Sequence, residues 1–82
     1  TEGDVNRFGY EFLGHGKAAD AVEVFRWNTE DYPESWNTWD SLGEALMRKG
    51  EREQAIAAYK KSLELNPRND NGRAALRDLG DG

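Results

Sequence analysis

Residues 41–67, which read SLGEALMRKGEREQAIAAYKKSLELNP, decide the fold. Leu42, Gly43 and Leu46, with Trp39 just before them, follow the i, i+3, i+4, i+7 spacing of one helix face. Gly50 comes directly after this face, where a left-handed residue commonly ends a helix. A second apolar face follows and stops at a proline, which cannot continue a helix. The stretch therefore predicts two helices joined by a tight turn.

The same pattern occurs 34 residues earlier, in weaker form. When the chain is compared with itself at this offset, small residues and prolines coincide at four places: Gly9 with Gly43, Gly16 with Gly50, Ala21 with Ala55, and Pro33 with Pro67. Large apolar residues also coincide, as in Phe8 with Leu42 and Phe25 with Tyr59. A fixed period of this length is typical of solenoid proteins built from helix pairs.

The periodicity predicts five helices and no strands. We expect helices over residues 3–14, 18–31, 36–48, 52–65 and 70–79, with Ser35 as the N-cap of the third helix. Gly9 and Gly43 lie inside apolar faces, where glycine costs about 1 kcal/mol relative to alanine. We therefore expect a neighbouring helix to approach closely at both positions. The last three residues, Gly80 to Gly82, are expected to fray.

This arrangement resembles the tetratricopeptide repeat family. Residues 36–69 carry its W-x2-L-G, small-residue, aromatic and proline signature at Trp39, Leu42, Gly43, Ala55, Tyr59 and Pro67. The first unit is more degenerate, with Val5 in place of the tryptophan. The resemblance implies an all-α, right-handed helical solenoid of two hairpins. We interpret residues 1–82 as a single domain with repeat 1 at 2–35, repeat 2 at 36–69 and a capping helix at 70–79.

Composition excludes several function classes. The 82 residues hold 11 Lys and Arg against 16 Asp and Glu, a net charge of −5, which disfavours binding to a phosphate backbone. Residues 1–35 carry three basic and eight acidic side chains, so the excess lies in the first half. The apolar runs are too short to predict a membrane span. The chain has no cysteine, so thiol catalysis and disulfides are excluded.

The residues needed for catalysis are missing from the pattern. His15 is the single histidine and lies in a predicted turn, without an acid at helical spacing. Asp40 and Glu44 share one helix face, but two carboxylates are too few ligands for a cation site. Gly14 and Gly16 flank His15 without the strand that a phosphate-binding loop requires. We predict no enzyme activity, no metal and no cofactor.

The family resemblance implies a concave groove lined by the first helix of each repeat. Projected onto this chain, the groove candidates are Asn6, Tyr10, Leu13, Asn37, Asp40, Glu44, Met47, Asn71, Ala74 and Asp78. Amides suit a peptide backbone, and the carboxylates favour a basic or neutral ligand over an acidic one. Family members that clamp the acidic C-termini of chaperones need lysine, asparagine and arginine at five positions. This chain has Asn6, Tyr10, Ser41, Asn71 and Ala75 there, so we expect that role to be absent.

Trp27 has no aromatic counterpart one period later, where Lys61 stands. The helical spacing turns it away from the Ala21–Phe25 face, and an outward tryptophan commonly has a partner. We expect Trp27 and Trp36 to form a docking patch for a second copy or a parent domain. The alternative is that Trp27 folds over the end of the first helix or over the neighbouring Asn28–Thr29 seam.

Protein–protein interaction or scaffolding is the function that these features favour. The alternative is a structural or oligomerising appendage without a free peptide ligand. The chain also looks similar to short repeat tails at the C-termini of some bacterial multidomain proteins, including serine hydrolases. Its start at Thr1, without methionine, led us to expect a processed chain or a piece of a longer protein. We expect a cytoplasmic location, since cysteine-free chains are compatible with one.

Overall fold

The computed structural model describes residues 1–80 and contains five α-helices in that range. These are α1 (Glu2–Gly14), α2 (Ala18–Asp31), α3 (Trp36–Lys49), α4 (Arg52–Leu65) and α5 (Asp70–Asp78). The described part of the chain has no strand, as the periodicity predicted. Each helix packs on the next along the chain, and α1 also contacts α3. The all-α, repeat-like fold is therefore confirmed.

Local capping chemistry sets the helix ends. The Thr1 hydroxyl accepts a hydrogen bond from the Asp4 backbone N–H, so α1 begins one residue earlier than predicted. Gly50 adopts left-handed backbone with φ of 92° and ends α3, as its position after the apolar face indicated. Gly80 donates its N–H to the Arg77 carbonyl rather than fraying. The fraying expected for Asp81 and Gly82 lies outside the described residues.

The Ser35 prediction was partly wrong. Ser35 occupies the N-cap position of α3, but its side chain makes no capping hydrogen bond. Its hydroxyl instead donates to Glu2 Oε2 at 2.7 Å, which ties the start of α3 to the start of α1. A contact to the preceding hairpin thus replaces the local cap.

A continuous apolar core runs between the first four helices. Phe25, Ala21, Ala45 and Ala55 are fully buried, and Leu42 and Leu46 nearly so. Ala21, Val22, Phe25, Leu42, Leu46 and Ala55 come from the helix faces that the sequence pattern marked, whereas Leu13, Ala45 and Ala58 join the cluster from outside those faces. Leu76 and Leu79 of the C-terminal segment add to the core from the far end.

Two helix crossings depend on glycine, as predicted. A Cβ atom at Gly9 would lie 2.3 Å from Cε1 of Phe25, and one at Gly43 would lie 2.9 Å from the Tyr59 ring. The two glycines and the two aromatic rings each stand 34 residues apart. The same close approach therefore holds α1 on α2 and α3 on α4.

Two aromatic residues are less buried than the apolar spacing indicated. Phe8 shares its helix face with Phe12, yet 53% of Phe8 is exposed, because no described helix covers that side of α1. Trp39 is only partly buried, and its ring N–H donates to the Pro33 carbonyl oxygen at 2.8 Å. It therefore secures the turn before α3 and does not lie at the centre of the core.

Candidate functional site

One face of the domain gathers polar side chains from α1, α3 and α5. Asn6 and Asn37 are partly buried on it, while Tyr10, Met47 and Asn71 are exposed. Asp78 is also exposed, about two turns beyond Asn71 and at the end of α5. Among the predicted groove residues, the structure joins Tyr10 of α1 to Glu44 of α3 and Asn71 of α5 to Asp40 of α3.

A chain of hydrogen bonds joins α1 to α3 on this face. The Tyr10 hydroxyl donates to Glu44 Oε1 at 3.0 Å, and Arg48 Nη2 pairs with Glu44 Oε2 at 3.1 Å. The Tyr10 ring packs edge-on against Phe25, with ring centroids 5.2 Å apart. Partial burial of the Tyr10 side chain, together with the Glu44 carboxylate, raises the pKa of Tyr10 to about 12. The phenol is therefore held neutral, as a hydrogen-bond donor.

A second polar cluster joins α3 to α4 and α5. Asn69 Nδ2 donates to Asp40 Oδ1 and to Ser62 Oγ, both at 2.9 Å, and Ser62 in turn donates to the Trp36 carbonyl. Asn69 Oδ1 accepts the Gly72 N–H and so caps α5. Asp40, Ser62 and Asn69 are all buried. This cluster satisfies the buried carboxylate without a positive charge.

Asn71 extends this cluster to the open face, because its Nδ2 lies 3.1 Å from Asp40 Oδ2. The nearby Tyr59 hydroxyl feels the same charges, since burial first and then Asp40 and Glu44 raise the pKa of Tyr59. Sequence reasoning missed Asn69 and Ser62. The 34-residue period could have indicated Asn69, because it stands one period after Ser35 and occupies the same N-cap position.

The equivalent cluster between the first two hairpins is incomplete. Asn28 Nδ2 donates to the Glu2 carbonyl, which repeats the bond from Ser62 to Trp36 one period earlier. Asn6 stands where Asp40 stands in the next unit. The Oδ1 atoms of Asn6 and Asn28 are buried and have no hydrogen-bond partner among the described residues. The interface between the first hairpin and α3 therefore contains two buried side-chain oxygens that accept no hydrogen bond from the described residues.

Two groove predictions are corrected. Leu13 is 5% exposed and belongs to the core, because its position on α1 turns toward α2 rather than toward solvent. Asp40 is 7% exposed, and its two oxygens bind Asn69 and Asn71, so it does not present a free carboxylate. Glu44 is likewise engaged by Tyr10 and Arg48. Asp78 is the predicted groove acid that stays exposed.

His15 is exposed and lies beside a shallow pocket of about 120 Å³ with Phe8, Glu11, Phe12 and Lys17. Over residues 1–80 no cluster of three histidine, aspartate or glutamate side chains has the geometry to hold a metal ion. Within the same residues, no helix is long and apolar enough to cross a membrane.

The two residues of the predicted docking patch are both exposed. Trp27 is 63% exposed on the outer side of α2, so it does not fold over the end of α1. Trp36 is 37% exposed at the start of α3, where its carbonyl accepts the Ser62 hydroxyl. The exposure of Trp27 selects the outward orientation from the two that the sequence allowed.

Comparison with known proteins agrees with this architecture. The family model for the tetratricopeptide repeat matches residues 36–69, the second helix pair. Superkiller complex protein 3 from Homo sapiens is 34% identical to this chain over 61 residues. Those residues cover 74% of this chain and 4% of the human protein, so the chain spans a small part of that relative's length. The family match and the helix pair that it covers show that residues 36–69 form a tetratricopeptide repeat.

Proposed function

We propose that the domain is a non-catalytic interaction module that holds an extended peptide across the face of α1, α3 and α5. Repeats of this family generally mediate protein–protein interaction or scaffolding. One observation supports this face in particular: Asn37 and Asn71 occur one 34-residue period apart on successive first helices. Side-chain amides at a regular spacing offer both donors and acceptors to a peptide backbone.

Residues 2–35 act as a diverged repeat in this proposal, and residues 70–79 act as the cap. The α5 segment supports that division, because Leu76 is buried while Arg73 and Arg77 remain exposed. A terminal helix with one apolar side and one polar side closes a helical array.

The ligand that fits the face is neutral or basic. Arg48 is paired with Glu44, so it is not available to an acidic peptide without loss of that pair. Asp78 adds an exposed carboxylate at one end. We therefore expect a peptide whose main chain contacts the amides and whose basic side chain, where present, lies near α5.

Selection from a random linear peptide library tests this proposal. Peptides recovered on the wild-type chain should lose affinity about fivefold or more with Asn37→Ala, because a lost hydrogen bond costs about 1 kcal/mol. The matched control is Gln54→Ala, which removes an amide from the opposite side of the domain. A library that yields no binder, or binders equally affected by both variants, contradicts the groove.

A second candidate is an appendage that docks through its outer surface and takes no free peptide. The exposure of Trp27 supports it, because a large aromatic side chain pointing to solvent is often an interface residue. Sedimentation of the wild-type chain and of Trp27→Lys separates the two roles. An appendage that self-associates through the patch loses the association in the variant, whereas a peptide-binding module behaves identically in both.

A further inference from the structure

The packing of α2 on α3 provides a template within the molecule. Leu42 and Leu46 of α3 are 3% and 2% exposed, since they lie between α2 and α4. Together with Trp39 they border a pocket of about 190 Å³ whose other walls come from α2 and α4: Arg26, Gln54, Ala57 and Ala58. A helix preceding α3 in sequence thus covers this side of α3.

The corresponding side of α1 is open. Phe8 and Phe12 stand 34 residues before Leu42 and Leu46, and their rings contact each other edge-to-face at 5.0 Å. Phe8 is nevertheless 53% exposed, and the shallow pocket beside it reaches Glu11. Helix α1 therefore carries apolar side chains at the positions that α2 covers on α3. No helix among residues 1–80 covers them on α1.

The adjoining side of α2 continues this surface. Asp20, Glu23, Val24 and Trp27 follow the spacing i, i+3, i+4, i+7, so they share one face of α2. One period later, Gln54, Ala57 and Ala58 border the pocket that α2 closes. Trp27 therefore lies on the face of α2 that corresponds, one period later, to the face of α4 bordering α2. Phe8 and Trp27 are the two most exposed large hydrophobic side chains of the described chain.

We define the open edge as Val5, Phe8, Phe12, Asp20, Glu23 and Trp27. Its charge indicates what binds there. In the internal template Arg26 of α2 donates a hydrogen bond to Gln54 of α4. The residue one period before Gln54 is Asp20, which is an exposed carboxylate. A basic side chain at the Arg26 position of a docking helix would therefore meet a negative charge.

Other carboxylates strengthen this preference. Glu23 shares the α2 face with Asp20, and Glu11 borders the pocket beside Phe8. Lys17 is also present there, but the acidic groups outnumber it. An apolar strip flanked by carboxylates is complementary to a helix with an apolar stripe and basic flanks.

We propose that the open edge binds a basic amphipathic α-helix of a partner protein, packed on α1 as α2 packs on α3. Phe8, Phe12 and Trp27 bury the apolar stripe of that helix. Asp20 pairs with an arginine or lysine at the position that Arg26 occupies in the internal template. This surface is separate from the amide-bearing face, so the domain has two independent interaction sites.

A peptide with the sequence of α4, Arg52–Leu65, is a suitable probe. Ile56, Tyr59 and Leu63 give it an apolar stripe, and Lys60 holds the register position of Arg26. An isolated helix of this length is marginal in water, so the peptide is stapled between positions 53 and 57. Ala57 lies on the side that faces α2 in the domain, away from the intended contact. Fluorescence anisotropy of the labelled peptide then reports binding to the 82-residue chain.

We expect saturable binding that Phe8→Ser and Trp27→Ser each weaken about tenfold, as for aromatic side chains central to an interface. Asp20→Lys should weaken it about threefold, because exposed ion pairs contribute little. The Lys60→Glu peptide should bind the wild-type chain more weakly and regain affinity for the Asp20→Lys variant. Both aromatic positions are exposed, so circular dichroism should show unchanged folding in the variants.

Tyr32→Ser is the matched control, since it removes an exposed aromatic side chain from the turn after α2. Asn37→Ala controls for the amide-bearing face, and neither variant should change binding of the probe. Failure of the probe to bind the wild-type chain overturns the proposal, and so does binding that is insensitive to Phe8→Ser. Sedimentation that shows self-association abolished by Phe8→Ser would overturn it as well, since the occupant would then be a second copy.

Discussion

The close crossing of α1 and α2 at Gly9 gives a sharp stability prediction. In Gly9→Ala the new Cβ would lie 2.3 Å from Cε1 of Phe25, whereas ordinary contacts begin near 3.4 Å. The Phe25 ring must therefore move by roughly 1 Å, although Phe25 is fully buried and its ring makes a T-shaped contact with Tyr10. Movement of that ring also disturbs the Tyr10 hydroxyl that binds Glu44.

The net effect is the difference between two opposing terms. Overpacking a core costs about 1–3 kcal/mol, and the shift required here places Gly9→Ala at the upper end. Replacing glycine with alanine inside a helix returns about 1 kcal/mol. We therefore expect Gly9→Ala to lower the free energy of unfolding by about 2 kcal/mol, which is roughly a 10 °C fall in Tm for a chain of this size.

Urea unfolding followed by circular dichroism measures this difference against two related variants. A Cβ at Gly3 on the same helix meets nothing within 4 Å, so Gly3→Ala should leave stability unchanged or raise it. Gly43→Ala should fall between the two, because its Cβ lies 2.9 Å from Tyr59. If Gly9→Ala proves as stable as Gly3→Ala, the close-packing explanation for these glycines is wrong.

Two further predictions concern the polar clusters. Asn69→Ala should cost about 1–3 kcal/mol in urea unfolding, because it leaves buried Asp40 and Ser62 short of a donor, whereas Asn66→Ala, which loses one exposed hydrogen bond from the Arg68 N–H, should cost less. Tyr10 has a folded-state pKa of about 12 against an ordinary value of 10, so the fold favours the neutral phenol. The stability that this shift contributes is present below pH 10 and is lost as the pH rises toward 12. An ultraviolet tyrosinate titration of the wild-type chain should therefore show phenols that ionise late, and Tyr10→Phe should reduce that late absorbance change, to which Tyr59 also contributes. Titration of Tyr10 at its ordinary pKa would contradict the prediction.

The sequence predicted the helices well because their determinants are local and periodic. Gly50, Pro33 and Pro67 punctuate the chain whatever surrounds them, and the 34-residue register supports each assignment twice. The missed helix start at Glu2 was also readable, since Thr1 and Asp4 have the spacing of a cap.

The face that lies across α1, α3 and α5 was predicted only in part. Helical spacing gives the direction of a side chain but not the depth of the neighbour beside it, so Leu13 and Asp40 were placed on an open surface. Burial of Asp40 depends on Asn69, which lies 29 residues later in the chain. That contact requires the turn between α4 and α5 to lie beside α3, and no local pattern predicts it. The prediction for Phe8 was wrong in the opposite sense, since the apolar spacing indicated burial and the side chain is exposed. An apolar face is buried only where another helix covers it.

The Asp40–Asn69–Ser62 cluster bears on how the chain avoids assembling incorrectly. In an array of similar hairpins, α5 competes with α3 for the surface of α2, since both follow a second helix in the same register. An α5 segment placed on α2 would face Asn6 and Asn28, and Asp40 would lose the amide donors of Asn69 and Asn71. A buried carboxylate without partners costs several kcal/mol. The replacement of Asn6, Asn28 and Ser35 by Asp40, Ser62 and Asn69 one period later therefore favours α5 on α4 over α5 on α2, and we expect it to disfavour exchange of hairpins between chains.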